Sequence, residues 1–150
     1  MSSLVYSMYS MVLFIVMMML MVEALPVEQK VPAACLGFRL TSPVKTGLTW
    51  TYGQCYSADW DVGASQVTTI TTVQLIDAKS KKVITTEAKN IPASKGTSGN
   101  FPLLMGDDVN PGNYYFQINA KTSSSKTCSV TSATFNVIVN PNSPPSTHCD

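Results

Sequence analysis

The sequence predicts an all-β fold: an immunoglobulin-like antiparallel β-sandwich of about seven short strands, preceded by a signal peptide. Three observations point there. Apolar residues recur at every second position, as in Leu48-Trp50-Tyr52, Tyr56-Ala58-Trp60 and Tyr114-Phe116-Ile118, and a period of two marks a half-buried strand. These runs are short and separated by Gly, Pro, Asn and Asp, with no helical period beyond the N-terminal segment. Four cysteines form an even set in a chain with an export-type start, which favours two disulfides over metal or redox use.

The start of the chain reads as an export signal. Met11–Val22 (MVLFIVMMMLMV) is unbroken apolar sequence, and Ala24 supplies the small residue a signal peptidase needs. Met1–Ser10 carries no Lys or Arg, which departs from the usual signal. The rival is a membrane anchor, because Leu4–Val22 approaches the ~20 apolar residues that span a bilayer. Ser7 and Ser10 weaken that rival, and cleavage is the expectation. The organisation is then signal peptide 1–24, extended leader 25–34, β-sandwich 35–140 and polar, Pro-rich tail 141–150.

Removing 24 of 150 residues leaves 126 with ten basic and eight acidic side chains, a net charge of +2. That balance predicts no nucleic-acid footprint, which needs a clustered basic face. Lys79, Lys81 and Lys82 form the one basic knot, in an expected hairpin turn whose plain reading is a solvated loop.

Along the mature chain, Leu25–Ala34 contains two prolines and no periodicity. Leu36, Phe38 and Leu40 alternate with Gly37, Arg39 and Thr41, a first strand ending at Ser42-Pro43. The stretch Gly47–Asp61 holds both tryptophans and reads as the second strand region, broken at Gly53. Gly63–Ser65 is a loop. Val67–Ile76 has the Thr and β-branched composition of a strand, and Asp77–Ser80 turns it into Val83–Glu87. Asn90–Asn100 carries loop chemistry, then Phe101, Leu103 and Met105 alternate. Asn110-Pro111-Gly112-Asn113 is a strong turn signal. Tyr114–Ala120 follows as a strand with Tyr114, Phe116 and Ile118 on its buried side. Lys121–Lys126 is a Ser-rich loop, and Phe135, Val137 and Val139 mark the last strand before Pro141.

Four cysteines allow three connectivities, and sequence alone does not choose among them. If the strands run as in a seven-stranded sandwich, Cys35 and Cys128 lie at one end, and Cys55 and Cys149 at the other. That favours Cys35–Cys128 and Cys55–Cys149, with the other pairings open.

With strands placed, Leu40-Thr41-Ser42-Pro43, Leu48-Thr49-Trp50-Thr51-Tyr52-Gly53 and Tyr56-Ser57-Ala58-Asp59-Trp60-Asp61 resemble the opening of a fungal cell-wall module. Val73–Asp77, Asn110–Phe116 and Phe135–Val137 are similar to its middle strand, its Pro-Gly-x-Tyr turn and its closing strand. That module is the immunoglobulin-like N-terminal domain of the yeast killer-toxin-resistance cell-wall synthesis proteins. It recurs in Ser/Thr-rich glycosylphosphatidylinositol-anchored wall proteins. The resemblance spans roughly Phe38–Val139. It implies a secreted or wall-associated protein engaged in β-1,6-glucan assembly or wall organisation. The chain shows neither the long C-terminal portion, nor the Ser/Thr-rich stalk, nor a lipid-anchor signal, so a free-standing module is expected. The family has no agreed catalytic residues to carry over.

The residues themselves argue against catalysis, and no cofactor is expected. The one histidine, His148, sits in the tail, leaving Ser–His or Cys–His chemistry without a base on the scaffold. Asp59 and Asp61 share a strand face, but Asp59 lies opposite Trp60 and reads as solvent-facing. Asp107, Asp108 and Asn110 have oxygen ligands suited to Ca²⁺, yet their spacing is ordinary turn chemistry and no metal site is expected. No Asn-x-Ser/Thr acceptor occurs. Binding is the better supported chemistry, because sugars stack on exposed aromatic faces. Trp50, Tyr52 and Tyr115 are the candidate glycan-binding residues, Tyr115 foremost because it alternates with the buried Tyr114 and Phe116.

The expected function is a secreted, non-enzymatic module of the fungal cell wall or extracellular space. Its expected partner is a wall polysaccharide such as β-glucan. The alternative is a secreted protein-interaction module, an effector or inhibitor, with no glycan role.

Overall fold

The computed structural model describes residues 31–106 and 110–150. The signal segment, most of the leader and the Asp107–Asp108 pair considered for calcium lie outside the described residues. A 3-10 turn at Ala33–Cys35 leads into ten strands: β1 (Arg39–Ser42), β2 (Thr49–Thr51), β3 (Cys55–Tyr56), β4 (Asp59–Asp61), β5 (Val67–Asp77), β6 (Val83–Pro92), β7 (Phe101–Pro102), β8 (Gly112–Thr122), β9 (Thr127–Thr131) and β10 (Phe135–Ile138). No α-helix occurs among the described residues, and the fold is an all-β sandwich.

The main sheet runs β2-β10-β8-β5-β6, with β9 also against β8. The other layer consists of two short pairs, β1–β4 and β3–β7. Pairing is antiparallel except between β10 and β2, which run parallel with Val137 opposite Trp50. The long strands β5 and β8 alternate as expected of a sheet with one buried face. Val73, Leu75, Phe116 and Ile118 are fully buried, whereas Gln74, Gln117 and Asn119 keep partial exposure.

Between the layers lies an aromatic core. Trp50 stacks on Tyr56 at 4.0 Å and on Phe135 at 4.4 Å, and Phe101 meets Phe116 edge-on at 5.7 Å. Trp60 is 4% exposed and donates its indole N–H to the Ala93 carbonyl at 2.8 Å. Each such ring contributes about 1.5–3 kcal/mol through the area it removes from water.

The structure departs from the sequence reading at several elements. The tryptophan stretch is not one region but three strands in three pairings. Gly53, at φ +77°, turns the chain out of β2. Ala58 then leaves the ladder, its N–H bonded to Ser98 Oγ and its carbonyl to the Ser98 N–H. β6 runs on through Asn90-Ile91-Pro92 instead of looping, with Ile91 opposite Ile70. Pro92 is the last residue of β6, which is an edge strand, a position where proline is tolerated. β9 was hidden in sequence: its residues are mostly Ser and Thr, but it pairs β8 from Gln117 to Lys121. Leu36 precedes the first strand and is 57% exposed.

The two disulfides are Cys35–Cys128 and Cys55–Cys149. Cys35 and Cys128 are buried at 5% and 3% exposure, whereas Cys55 is exposed. The tail is strapped to the sandwich: Cys149 is bridged, Ser146 N–H donates to the Gly53 carbonyl at 2.7 Å, and Asn100 bonds the Asp150 carbonyl. His148 remains exposed at the outside of this strap.

Candidate binding face

Side chains on a strand alternate, so burying Tyr114, Phe116, Ile118 and Ala120 sends Asn113, Tyr115, Gln117, Asn119 and Lys121 to the outer face of β8. The register brings partners from both sides. Gln74 of β5 and Thr131 of β9 lie opposite Gln117, and Thr72 and Ser129 lie opposite Asn119.

These residues form a connected ladder. Asn119 Nδ2 donates to Thr72 Oγ1 at 3.0 Å and to Gln74 Oε1 at 3.1 Å. Gln117 Nε2 donates to Asn119 Oδ1 at 3.1 Å and to Ser129 Oγ at 3.3 Å. Both amide groups are thereby fixed in orientation. Gln74 Nε2 and Gln117 Oε1 meet no protein partner among the described residues, leaving a donor and an acceptor facing outward.

One end of the ladder is apolar. Tyr115 sits opposite Ile76, and Ile76 opposite Val83. Ile76 is 3% exposed and lies outside the inter-sheet core, so the tyrosine's neighbour on β5 is a covered apolar residue. Lys81 holds its ammonium 5.2 Å from the Tyr115 ring centroid, within cation–π range. The hairpin turn sets that position. Asp77 Oδ1 accepts from the Ser80 N–H at 2.5 Å, and Lys81 takes a left-handed φ of +60°. The Ser80 backbone N–H, and then its hydroxyl, hold the Asp77 carboxyl below its ordinary range.

Beside the same turn are two depressions of about 580 and 380 Å³. Lys82, Ile84, Met105 and Tyr114 line the larger, Lys79, Pro111 and Asn113 the smaller, and Asp77 borders both. Burial, and then the Asp77 charge, push the Tyr114 phenol up, and its O–H donates to the Asn110 carbonyl at 2.6 Å.

Of the three aromatic candidates, one is where stacking needs it. Tyr115 lies on the outer face, half exposed. Trp50 does not: it is 9% exposed and sandwiched between Tyr56 and Phe135. The inward side of the sheet claims it, because its ring completes the aromatic core. Tyr52 packs against that core from the end of β2 and joins neither Tyr115 nor the ladder. The acidic residues are engaged elsewhere. Asp61 pairs with Arg39 at 2.5 Å, and Asp59 accepts from Ser57 Oγ at 3.2 Å. No cluster of three metal-ligating side chains occurs among the described residues.

Gln74, Gln117, Asn119, Thr72 and Ser129 were not singled out in the sequence. The signal was present for the β8 pair, since the alternation that exposes Tyr115 also exposes Gln117 and Asn119. The partners on β5 and β9 depend on register, which only the folded sheet supplies.

No protein-family model and no curated protein matches the chain. Among solved structures, it is similar to the fibronectin(III)-like modules of Clostridium thermocellum CbhA, at 16% identity and a TM-score of 0.44. That match covers 69% of this chain and 46% of the other, so this chain spans less than half of its length. CopC from Methylosinus trichosporium OB3b is similar at 10% identity and a TM-score of 0.41, over 67% of this chain and 91% of the other.

Proposed function

We propose that this chain is a secreted, non-enzymatic β-sandwich module of the fungal cell wall or extracellular space that holds wall polysaccharide on the outer face of its main sheet. The observation that carries the reading is the Gln74–Asn119–Gln117–Ser129 ladder ending at Tyr115. Sugar hydroxyls both donate and accept, and a fixed amide row with an outward donor and acceptor answers them. The apolar face of a sugar ring matches the tyrosine ring. Two disulfides, which persist in oxidising compartments, support export. The likeness of Leu40–Asp61 and Asn110–Phe116 to the fungal wall module supports the wall as the place of action.

The test is retention of the purified protein on insoluble β-glucan and chitin. Tyr115→Ala and Asn119→Ala are each expected to lower retention by about tenfold while the melting transition stays cooperative. Absence of retention on any polysaccharide, with a defined protein partner recovered instead, replaces this reading with the interaction-module alternative.

A further inference from the structure

We propose that the polysaccharide held on this face is an acidic one, carrying carboxylate, phosphate or sulfate groups. The inference rests on the glycan-binding reading above and concerns which class of glycan the face selects.

It follows from where the charges fall. Lys121 projects from β8 on the same side as Tyr115, Gln117 and Asn119. Lys89 of β6 lies directly opposite Thr72, whose hydroxyl belongs to the ladder, so it shares that face. Lys81 reaches over the Tyr115 ring. All three are exposed. The described carboxylates are turned elsewhere. Glu87 bonds Thr85, which faces the interior opposite Leu75. Asp77 is tied into the hairpin turn by Ser80, Asp59 and Asp61 belong to the other layer, and Asp150 lies in the tail strap beside His148 and Asn100. A chain whose formal net charge is only +1 therefore presents three cations and no described anion on its ladder face.

The spacing suits an extended polymer. Tyr115 and Lys121 are six residues apart on one strand, roughly 20 Å, and β6 lies two strand spacings from β8, roughly 10 Å. The lysines thus mark the edges of a patch long enough for several sugar rings, with the neutral ladder at its centre. Lysines at an edge also discourage strand pairing, and that role alone accounts for Lys89. It does not account for Lys81, which the turn conformation and the aromatic ring hold above the face instead of leaving free in solvent. An ammonium held in this way loses less freedom when it meets an anion.

The experiment compares three probes on the full secreted protein: polygalacturonate, a neutral soluble β-glucan and double-stranded DNA. The expected result is polygalacturonate binding about tenfold tighter than neutral glucan at low salt, the scale of three exposed ion pairs together. That advantage is expected to vanish toward 1 M salt, where the Debye length shrinks to about 3 Å. The double variant Lys89→Ala, Lys121→Ala is expected to lose most of the preference yet keep the glucan binding, whereas Asn119→Ala weakens both. Equal binding of both glycans, or a preference unmoved by salt or by the double variant, overturns the acidic-glycan inference and leaves the glycan reading standing. DNA binding as tight as polygalacturonate overturns it too, because the face is then a general polyanion surface. Binding to neither glycan removes both.

Discussion

Tyr115 and Trp50 illustrate how far a single residue can be read before folding. Both sit in alternating runs, and alternation separates two faces without naming which one a second layer will cover. For Tyr115 the neighbours decide, since Tyr114 and Phe116 take the buried side and leave it the other. For Trp50, Thr49 and Thr51 force the same conclusion of burial only once β10 and the β3 segment are in place to stack on it. Glu87 was invisible as a special residue. A β-bulge between Val73 and Gln74 re-aims it, so it joins Thr85 toward the interior half-buried and without a basic partner among the described residues. Burial raises its pKa above the ordinary 4.5, partly offset by the Thr85 hydroxyl. A raised folded-state value means that stability is fully present below the unfolded pKa and is lost as pH climbs through the folded one. Glu87→Gln is therefore expected to raise the melting temperature at pH 7 and leave it unchanged at pH 3.5. An equal gain at both values would show that desolvation of the charge is not the cause.

At the scale of elements, the long strands β5 and β8 are legible because their composition and period agree. The short strands are not. β3 and β7 span two residues each, too few to carry a period, and β9 is specified by the ladder of β8 and by Cys128 more than by its own residues. The tail is the clearest case of context overriding composition. Pro-rich, polar sequence reads as free, yet it is seated against the turn after β2. Gly53 makes that seat. It adopts φ +77°, and a Cβ there would lie 2.5 Å from Pro145 Cα, a backbone atom that cannot yield without moving the strap. Gly53→Ala is expected to cost about 1–3 kcal/mol, the usual scale for a non-glycine residue forced into the left-handed region. Limited proteolysis checks the location of the damage. Cleavage is expected to appear first within residues 140–148, and a variant that resists there as well as the wild type would mean the tail does not depend on this contact.

For the molecule as a whole, the two disulfides close loops of nearly the same size, 93 and 94 residues in separation. On the chain-entropy account each restricts the unfolded chain equally, by about 4–5 kcal/mol. Their pairing was approachable from sequence because it depends on which end of the sandwich each cysteine reaches, and end-to-end placement survives errors in strand number. Their difference was not, because it lies in burial. Cys35 and Cys128 join the core, tying the entry to β1 to the strand beside β8, whereas Cys55 sits exposed and bridges to the tail. Thiol–disulfide exchange requires an attacking thiolate to reach a sulfur. Mild reductant under native conditions is therefore expected to open Cys55–Cys149 first. Alkylation followed by peptide mapping should label Cys55 and Cys149 while Cys35 and Cys128 stay protected until global unfolding. The singly reduced protein is expected to keep its β-sheet circular dichroism and melt at a lower temperature; on the proposed glycan reading, retention on polysaccharide is expected to survive as well, because the ladder and Tyr115 lie on strands that the tail bridge does not join. Simultaneous labelling of all four cysteines would mean that the bridge to the tail supports the sandwich itself, and the strap would have to be counted as part of the core.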